Sequence, residues 1–110
     1  MTDREPIPQG TLDMLVLSTL DRQPELHGFE IAEAISRRSG NVLEVEEGSL
    51  YPALQRLLVN GWIRGKWGRT SENRRARYYH ITAEGRKQLE QKLSSYRRVS
   101  GAIAAVLKPA

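Results

Sequence analysis

Ser49-Leu50-Tyr51-Pro52-Ala53-Leu54-Gln55-Arg56-Leu57-Leu58, a break at Asn60-Gly61, then Trp62-Ile63-Arg64-Gly65-Lys66-Trp67: around this segment the rest of the chain can be arranged. Leu50, Leu54, Leu57 and Leu58 recur at helical spacing and form the buried stripe of a short helix. Gly48 or Ser49 can cap it, which puts Pro52 in the first turn, where its missing N–H costs little. Ser49, Tyr51, Pro52, Gln55 and Arg56 then point away from the core near the N-terminal end. Free N–H groups at a helix start suit phosphate, and Gln or Arg side chains can hydrogen-bond base edges. These five residues are the expected contacts of a helix that lies in a DNA groove.

The next segment alternates. Ile63 and Trp67 share one face of a strand, Tyr79 and Ile81 share one face of a second, and all four are expected to cover the core. Arg64 and Lys66 then face outward with Tyr78 and His80. The tip from Gly68 to Arg75 is polar, carries a Ser-Glu-Asn turn signal, and is too long for a two-residue hairpin turn. Lys66, Arg69, Arg74, Arg75 and Arg77 make this hairpin a cationic wing. Such a wing can reach a minor groove or grip backbone phosphates, contacts that position a protein without specifying sequence.

Net charge is +4, but its distribution is far from even. Residues 1–47 hold four basic side chains against ten acidic ones, for −6, whereas residues 48–110 hold thirteen against three, for +10. Residues 64–77 alone carry six cations and a single acid, Glu72. One face of the molecule therefore attracts polyanions while the other repels them. A solvated loop could explain a basic run in isolation; the helix beside it favours nucleic acid.

The remaining composition excludes several classes. At 110 residues the chain is one domain, and with 27% charged residues it is not expected to be disordered except at its ends. It has no cysteine, so neither disulfides nor cysteine-ligated zinc are expected, in keeping with a reducing cytosol. No apolar run approaches the ~18 residues of a membrane span. His27 and His80 lack a third ligand at metal spacing, and Glu44, Glu46 and Glu47 lack a partnered base, so no catalytic site, metal or cofactor is expected. The expected location is cytoplasmic, associated with the nucleoid.

Two helices precede the central one. The first starts near Gly10-Thr11, with Thr11 as cap, Asp13 in its first turn, and Leu12, Leu15, Val16, Leu17 and Leu20 inward. Gln23-Pro24 ends it. The second runs from His27 or Gly28 to Arg38, with Ile31 and Ile35 inward, and stops at Ser39-Gly40-Asn41. Val42-Leu43-Glu44-Val45 could add an edge to the hairpin. Thr82 caps a long fourth helix in which Leu89, Leu93, Tyr96, Ser100, Ile103 and Leu107 follow heptad spacing. That stripe exceeds what a three-helix core can cover, so it predicts a homodimer. Two reading helices could then meet half-sites about one helical turn (~34 Å) apart.

In the order they occur, these motifs resemble the PadR-like transcriptional regulators. The resemblance rests on Gly10-Thr11-Leu12-Asp13, Leu26-His27-Gly28-Phe29 with Ile31, and Glu47-Gly48-Ser49-Leu50-Tyr51-Pro52-Ala53-Leu54. It continues through Gly61-Trp62-Ile63, Arg74-Arg75-Ala76-Arg77-Tyr78-Tyr79 and Thr82-Ala83-Glu84-Gly85, covering about residues 9–90. It implies a repressor whose Ser49, Tyr51 and Pro52 enter the major groove and whose Arg74, Arg75 and Arg77 contact phosphate or minor groove. It further implies the smaller size class, with a single C-terminal helix, and a small-molecule effector in some members. Those effectors are aromatic drugs or phenolic acids held at the dimer interface; here the fourth helix carries Tyr96 and no tryptophan, so no ligand is named.

The predicted fold is mainly α with a small β-hairpin: a winged helix-turn-helix with a long C-terminal dimerisation helix. Its expected divisions are a flexible N-terminal arm over 1–8, a DNA-binding domain over 9–82 and a dimerisation helix over 83–110. The dimer interface is expected to use Leu89, Leu93, Tyr96, Ile103 and Leu107. The partner is double-stranded operator DNA with an inverted repeat. The competing expectation is a winged-helix module that docks a protein instead, although protein docking does not require six cations in fourteen residues.

Overall fold

Leu50, Leu54 and Leu57 lie on one side of a helix, and that side is fully enclosed, with Ala53 beside them. The computed structural model describes residues 5–8 and 10–110. In chain order its elements are β1 (Glu5–Pro6), α1 (Leu12–Arg22), β2 (Leu26–His27), α2 (Gly28–Arg38), β3 (Leu43–Glu44), α3 (Glu47–Val59), β4 (Ile63–Arg69), β5 (Arg75–Ile81) and α4 (Ala83–Leu107). The core joins Val16, Leu17 and Leu20 of α1, Ile31 and Ile35 of α2, the α3 leucines, and Ile63, Tyr79 and Ile81 from the hairpin. Met14, which no periodic stripe singled out, is also buried there.

Capping follows the expected positions with two differences in chemistry. Thr11 is the N-cap of α1, yet its hydroxyl donates to the Pro8 carbonyl at 2.7 Å and makes no cap bond to the helix. For α2 the cap is His27: its Nδ1 accepts from the Glu30 N–H at 3.4 Å, and Glu30 Oε1 accepts from the His27 N–H at 3.1 Å. This reciprocal pairing satisfies two amide donors at the helix start. Gly40 and Asn41, both with φ near 65°, then turn the chain after α2.

Helix α3 begins earlier than its sequence suggests. Glu46 is its N-cap, so Pro52 is the sixth helical residue and lies beyond the first turn. Proline cannot donate to the carbonyl four residues back, that of Gly48. Gly48 is exposed, and a carbonyl at an exposed position can turn to water instead.

β4 and β5 pair antiparallel from Ile63↔Ile81 to Arg69↔Arg75, and β2 adds a third strand through Leu26↔Tyr79 and His27↔Tyr78. The extra edge of the hairpin is therefore Leu26–His27. The segment expected there, Val42–Val45, instead supplies β3, which pairs in parallel with β1. Of the expected arm, residues 1–4 lie outside the described residues, whereas Glu5–Pro6 form β1. Trp67 also departs from expectation. It has the same strand parity as Ile63, but at 60% exposure it does not cover the core, because the hairpin extends past the helices that bury Ile63.

α4 has 25 residues and leaves the domain part-way along its length. Gly85 and Leu89 are its buried residues, and Leu93 packs against the same core. Leu89 is thus committed to its own domain and offers no surface to a second subunit. Farther on, Tyr96, Val99, Ile103, Val106 and Leu107 are exposed, Ile103 at 53% and Leu107 at 75%. This outer stripe keeps 3-4-3 spacing through Val99 and Val106, with Ser100 beside it.

Candidate nucleic-acid interface

The N-terminal half of α3 separates its residues by face. Leu50, Ala53 and Leu54 face the core, while Ser49, Tyr51, Pro52 and Gln55 are exposed. Tyr51, at 51% exposure, leans over the start of α2. A Cβ on Gly28 would lie 3.0 Å from the Tyr51 hydroxyl and 3.2–3.3 Å from its ring carbons. A side chain at 28 would require the tyrosine to give by a few tenths of an ångström, so the bare glycine lets Tyr51 rest closely on the start of α2.

Between Tyr51 and the wing lies the buried Tyr79. Tyr79 lies within electrostatic reach of both Tyr51 and Arg77: burial pushes its phenol above the ordinary value, Arg77 pulls it back, and Tyr51 adds to the upward push. The Arg77 guanidinium lies 5.9 Å from the Tyr79 ring centre and 6.0 Å from that of Trp67. Arg75 is closer to Trp67, at 4.3 Å. Arg75, Arg77 and Trp67 thus cluster on one face of the hairpin, and the buried Tyr79 lies between that cluster and Tyr51.

Arg77 reaches this place across the neighbouring strand. A Cβ on Gly65 would come within 2.5 Å of Arg77 Nε, so glycine leaves the trough in which the side chain lies. That Nε is buried and, among the described residues, has no hydrogen-bond partner.

The wing tip is a folded turn. Thr70 N–H donates to the Arg74 carbonyl at 2.8 Å, Asn73 N–H donates to the Thr70 carbonyl at 2.9 Å, and Arg74 N–H donates to the Thr70 hydroxyl at 3.1 Å. Asn73 takes the left-handed conformation, φ 61°, that closes such a loop. Tyr78 lies over Gly68 and donates its hydroxyl to the Arg69 carbonyl at 3.2 Å, and Arg69 donates to the Asn73 carbonyl at 3.2 Å. Arg74 and Arg75, by contrast, are exposed and make no ion pair among the described residues.

Two expected contacts are engaged elsewhere. Arg56 makes a two-point contact with Asp13 of α1, at 2.8 and 3.4 Å. That hydrogen bond, then the charge of Asp13, holds the guanidinium above its already high ordinary value. Lys66 pairs with Glu25 at 2.8 Å. Both pairs join the acidic half of the chain to the basic half, and Arg56 links α3 to α1 while its side chain stays exposed. Trp67 and Gly28 were not among the expected site residues. For Gly28 the signal was its place in Leu26-His27-Gly28-Phe29; for Trp67 the alternation pointed inward.

Along the exposed face of α3 lies an open groove of about 570 Å³, lined by Leu12, Val45, Ser49, Pro52 and the Asp13–Arg56 pair among others. No helix among the described residues is long and apolar enough to cross a membrane.

Residues 16–91 match the family described as Transcriptional regulator PadR-like family. A solved transcriptional regulator from Clostridium thermocellum is 31% identical, with a TM-score of 0.82, covering 91% of this chain and 96% of that one. A PadR family transcription regulator from Clostridium difficile is 30% identical, with a TM-score of 0.75, covering 90% and 100%. Bacillus subtilis PadR, solved in complex with operator DNA, is 24% identical with a TM-score of 0.66 and shares the fold, covering 76% of this chain and 47% of that one.

Proposed function

This chain belongs to the PadR-like transcriptional regulator family, and from that premise we propose that it binds operator DNA as a homodimer and represses transcription. The observation that carries the proposal is the pairing of an exposed α3 face, with Tyr51 at its centre, and a Trp67–Arg75–Arg77 cluster on the hairpin, with the buried Tyr79 between them. It sets an exposed helix face beside unpaired cations, as a duplex requires. Ser49, Tyr51, Pro52 and Gln55 are the proposed major-groove contacts; Arg69, Arg74, Arg75 and Arg77 are the proposed phosphate or minor-groove contacts. Arg56 and Lys66 act in a supporting role through Asp13 and Glu25. That a fold relative was solved with operator DNA supports the same reading.

Dimerisation through the outer half of α4 is part of this proposal, as are an inverted-repeat operator and release by a small-molecule or other effector. The groove against α3 is within the size range of small-ligand sites. A molecule seated there would bear on the Asp13–Arg56 link and so on the placement of α3.

The test is binding to genomic duplex fragments across a salt series, where log K is expected to fall with log salt at about −0.9 per phosphate neutralised. A flat response would remove the DNA reading. Arg74→Ala with Arg75→Ala is expected to weaken operator and non-specific duplex alike. Its salt slope should become shallower by about 0.9 for each phosphate that is no longer neutralised. An unchanged slope in the same titration would take both arginines off the interface.

Tyr51→Ala and Gln55→Ala are expected to act differently. Each should weaken operator binding by on the order of 1–3 kcal/mol where it removes a contact to a base, with a smaller effect on random duplex. Gel-shift titration of both duplexes measures the ratio. Equal weakening on the two would show that α3 does not read sequence.

A further inference from the structure

Trp67, on β4, covers no core: it is 60% exposed and absent from the buried cluster. Two cations line its ring, the Arg75 guanidinium at 4.3 Å and that of Arg77 at 6.0 Å. Arginine stacked on an indole is itself stabilising, but it covers only part of the ring and leaves an apolar edge in water. The side of the sheet on which this edge lies also carries Arg77 and, buried, Tyr79.

What can cover that edge is limited by charge. Arg75 and Arg77 flank it, Arg69 and Arg74 belong to the same hairpin tip, and Glu72 is the only acid in the segment 64–77. A second copy of the wing would set these cations against their own kind, so the occupant must be a polyanion with apolar surface between its charges. The sugar wall of a duplex groove has that alternation, deoxyribose faces flanked by phosphates.

Resting on the DNA reading above, we propose that Trp67 is itself a DNA contact. The exposed edge of the indole seats against deoxyribose in the minor groove beside each half-site, while Arg75 and Arg77 reach the phosphates on either side. Trp67 is then the apolar component of an otherwise electrostatic grip. It adds affinity that salt does not screen, and it fixes how deeply the wing enters.

The protein carries two tryptophans, so Trp62→Phe leaves Trp67 as the sole reporter. Trp62 is half-buried near Lys92 and distant in role from the wing tip, and phenylalanine preserves most of its packing. In this background, saturation with an unlabelled random-sequence duplex is expected to quench Trp67 emission and to shield it from acrylamide. Anisotropy of the fluorescein-labelled duplex reports in parallel whether DNA is bound. Trp67→Ala is expected to lower duplex affinity about tenfold, the loss that burying some tens of Å² of apolar surface supplies, and Trp67→Phe less. The salt slope should be nearly unchanged in both, and circular dichroism should match the parent because the side chain supports no core. Duplex that binds by anisotropy while Trp67 stays as accessible as before overturns the contact and leaves the DNA reading intact. A chain that binds no duplex at all removes the reading and the contact together.

Discussion

Ile103→Glu combined with Leu107→Glu is expected to give a monomer with an intact winged-helix domain and operator affinity lowered on the order of 10²–10⁴-fold. Both side chains lie on the outer stripe of α4 and touch no part of the core cluster. A carboxylate at either site therefore costs nothing in the isolated domain, but it would be buried unpaired in a helix–helix seam. The drop in affinity follows from linkage. Two joined reading units make the second half-site an intramolecular event, and separation abolishes that advantage without removing a single DNA contact. Sedimentation velocity measures the assembly and anisotropy the affinity. A sedimentation coefficient that still reports a dimer would place the interface elsewhere. Leu93→Glu would be a poorer choice, because Leu93 packs on the domain's own core and its replacement would mix unfolding with dissociation.

The second large effect is on stability. Gly85→Ala is expected to destabilise the chain by about 3 kcal/mol, the upper part of the range for overpacking a well-filled site. For a domain of this size that lowers Tm by roughly 10–20 °C. A Cβ on Gly85 would run into the Trp62 carbonyl oxygen and come within 2.8 Å of Ile81 Cγ1. Backbone cannot swing aside as the end of a long side chain can. The Trp62 carbonyl is also held in place as the acceptor for the Thr82 N–H at 3.0 Å. Gly101→Ala is the matched control, since a Cβ there meets nothing within 4 Å. Its expected effect is a gain of up to about 1 kcal/mol from helix propensity. Thermal unfolding of the two variants side by side separates them; a Gly85→Ala protein with parental Tm would mean that α4 does not rest on the α3–β4 turn.

Much of this arrangement was legible in the sequence because it is local. Leucine spacing marks α3, Gln23-Pro24 ends α1, Gly40-Asn41 stops α2, and Thr82 caps α4 with a 3.0 Å bond from the Gly85 N–H. What escaped depends on contacts between distant residues. Nothing near Arg56 announces Asp13, and nothing near Lys66 announces Glu25, yet these pairs decide which cations remain free. Strand alternation gave Trp67 the right parity, but parity cannot report where the covering helices end. The depth of Pro52 in α3 is hidden from the sequence for a related reason. Gly48 and Ser49 have good cap chemistry, but the chain already turns helical after Glu46, whose side chain makes no cap bond at all. Heptad spacing likewise could not divide α4 into an inner half, where Leu89 belongs to the domain, and an outer half that is open.

The passage from the wing into α4 leaves no room for a joint. Thr82 alone separates β5 from α4; its hydroxyl donates to the Gly61 carbonyl at 2.8 Å, and Gly85 lies flush on the peptide of Trp62. In the dimer proposed above, each α4 would behave as a rigid lever cast in one piece with its wing. The gap between the two reading units would then be set at the far end, by the crossing angle of the paired helices. A change of a few degrees there would be magnified along a helix of about 37 Å into a mismatch with the pitch of the duplex. On this geometry the protein works as a calliper, and whatever alters the grip at the handle alters which operator the jaws can span.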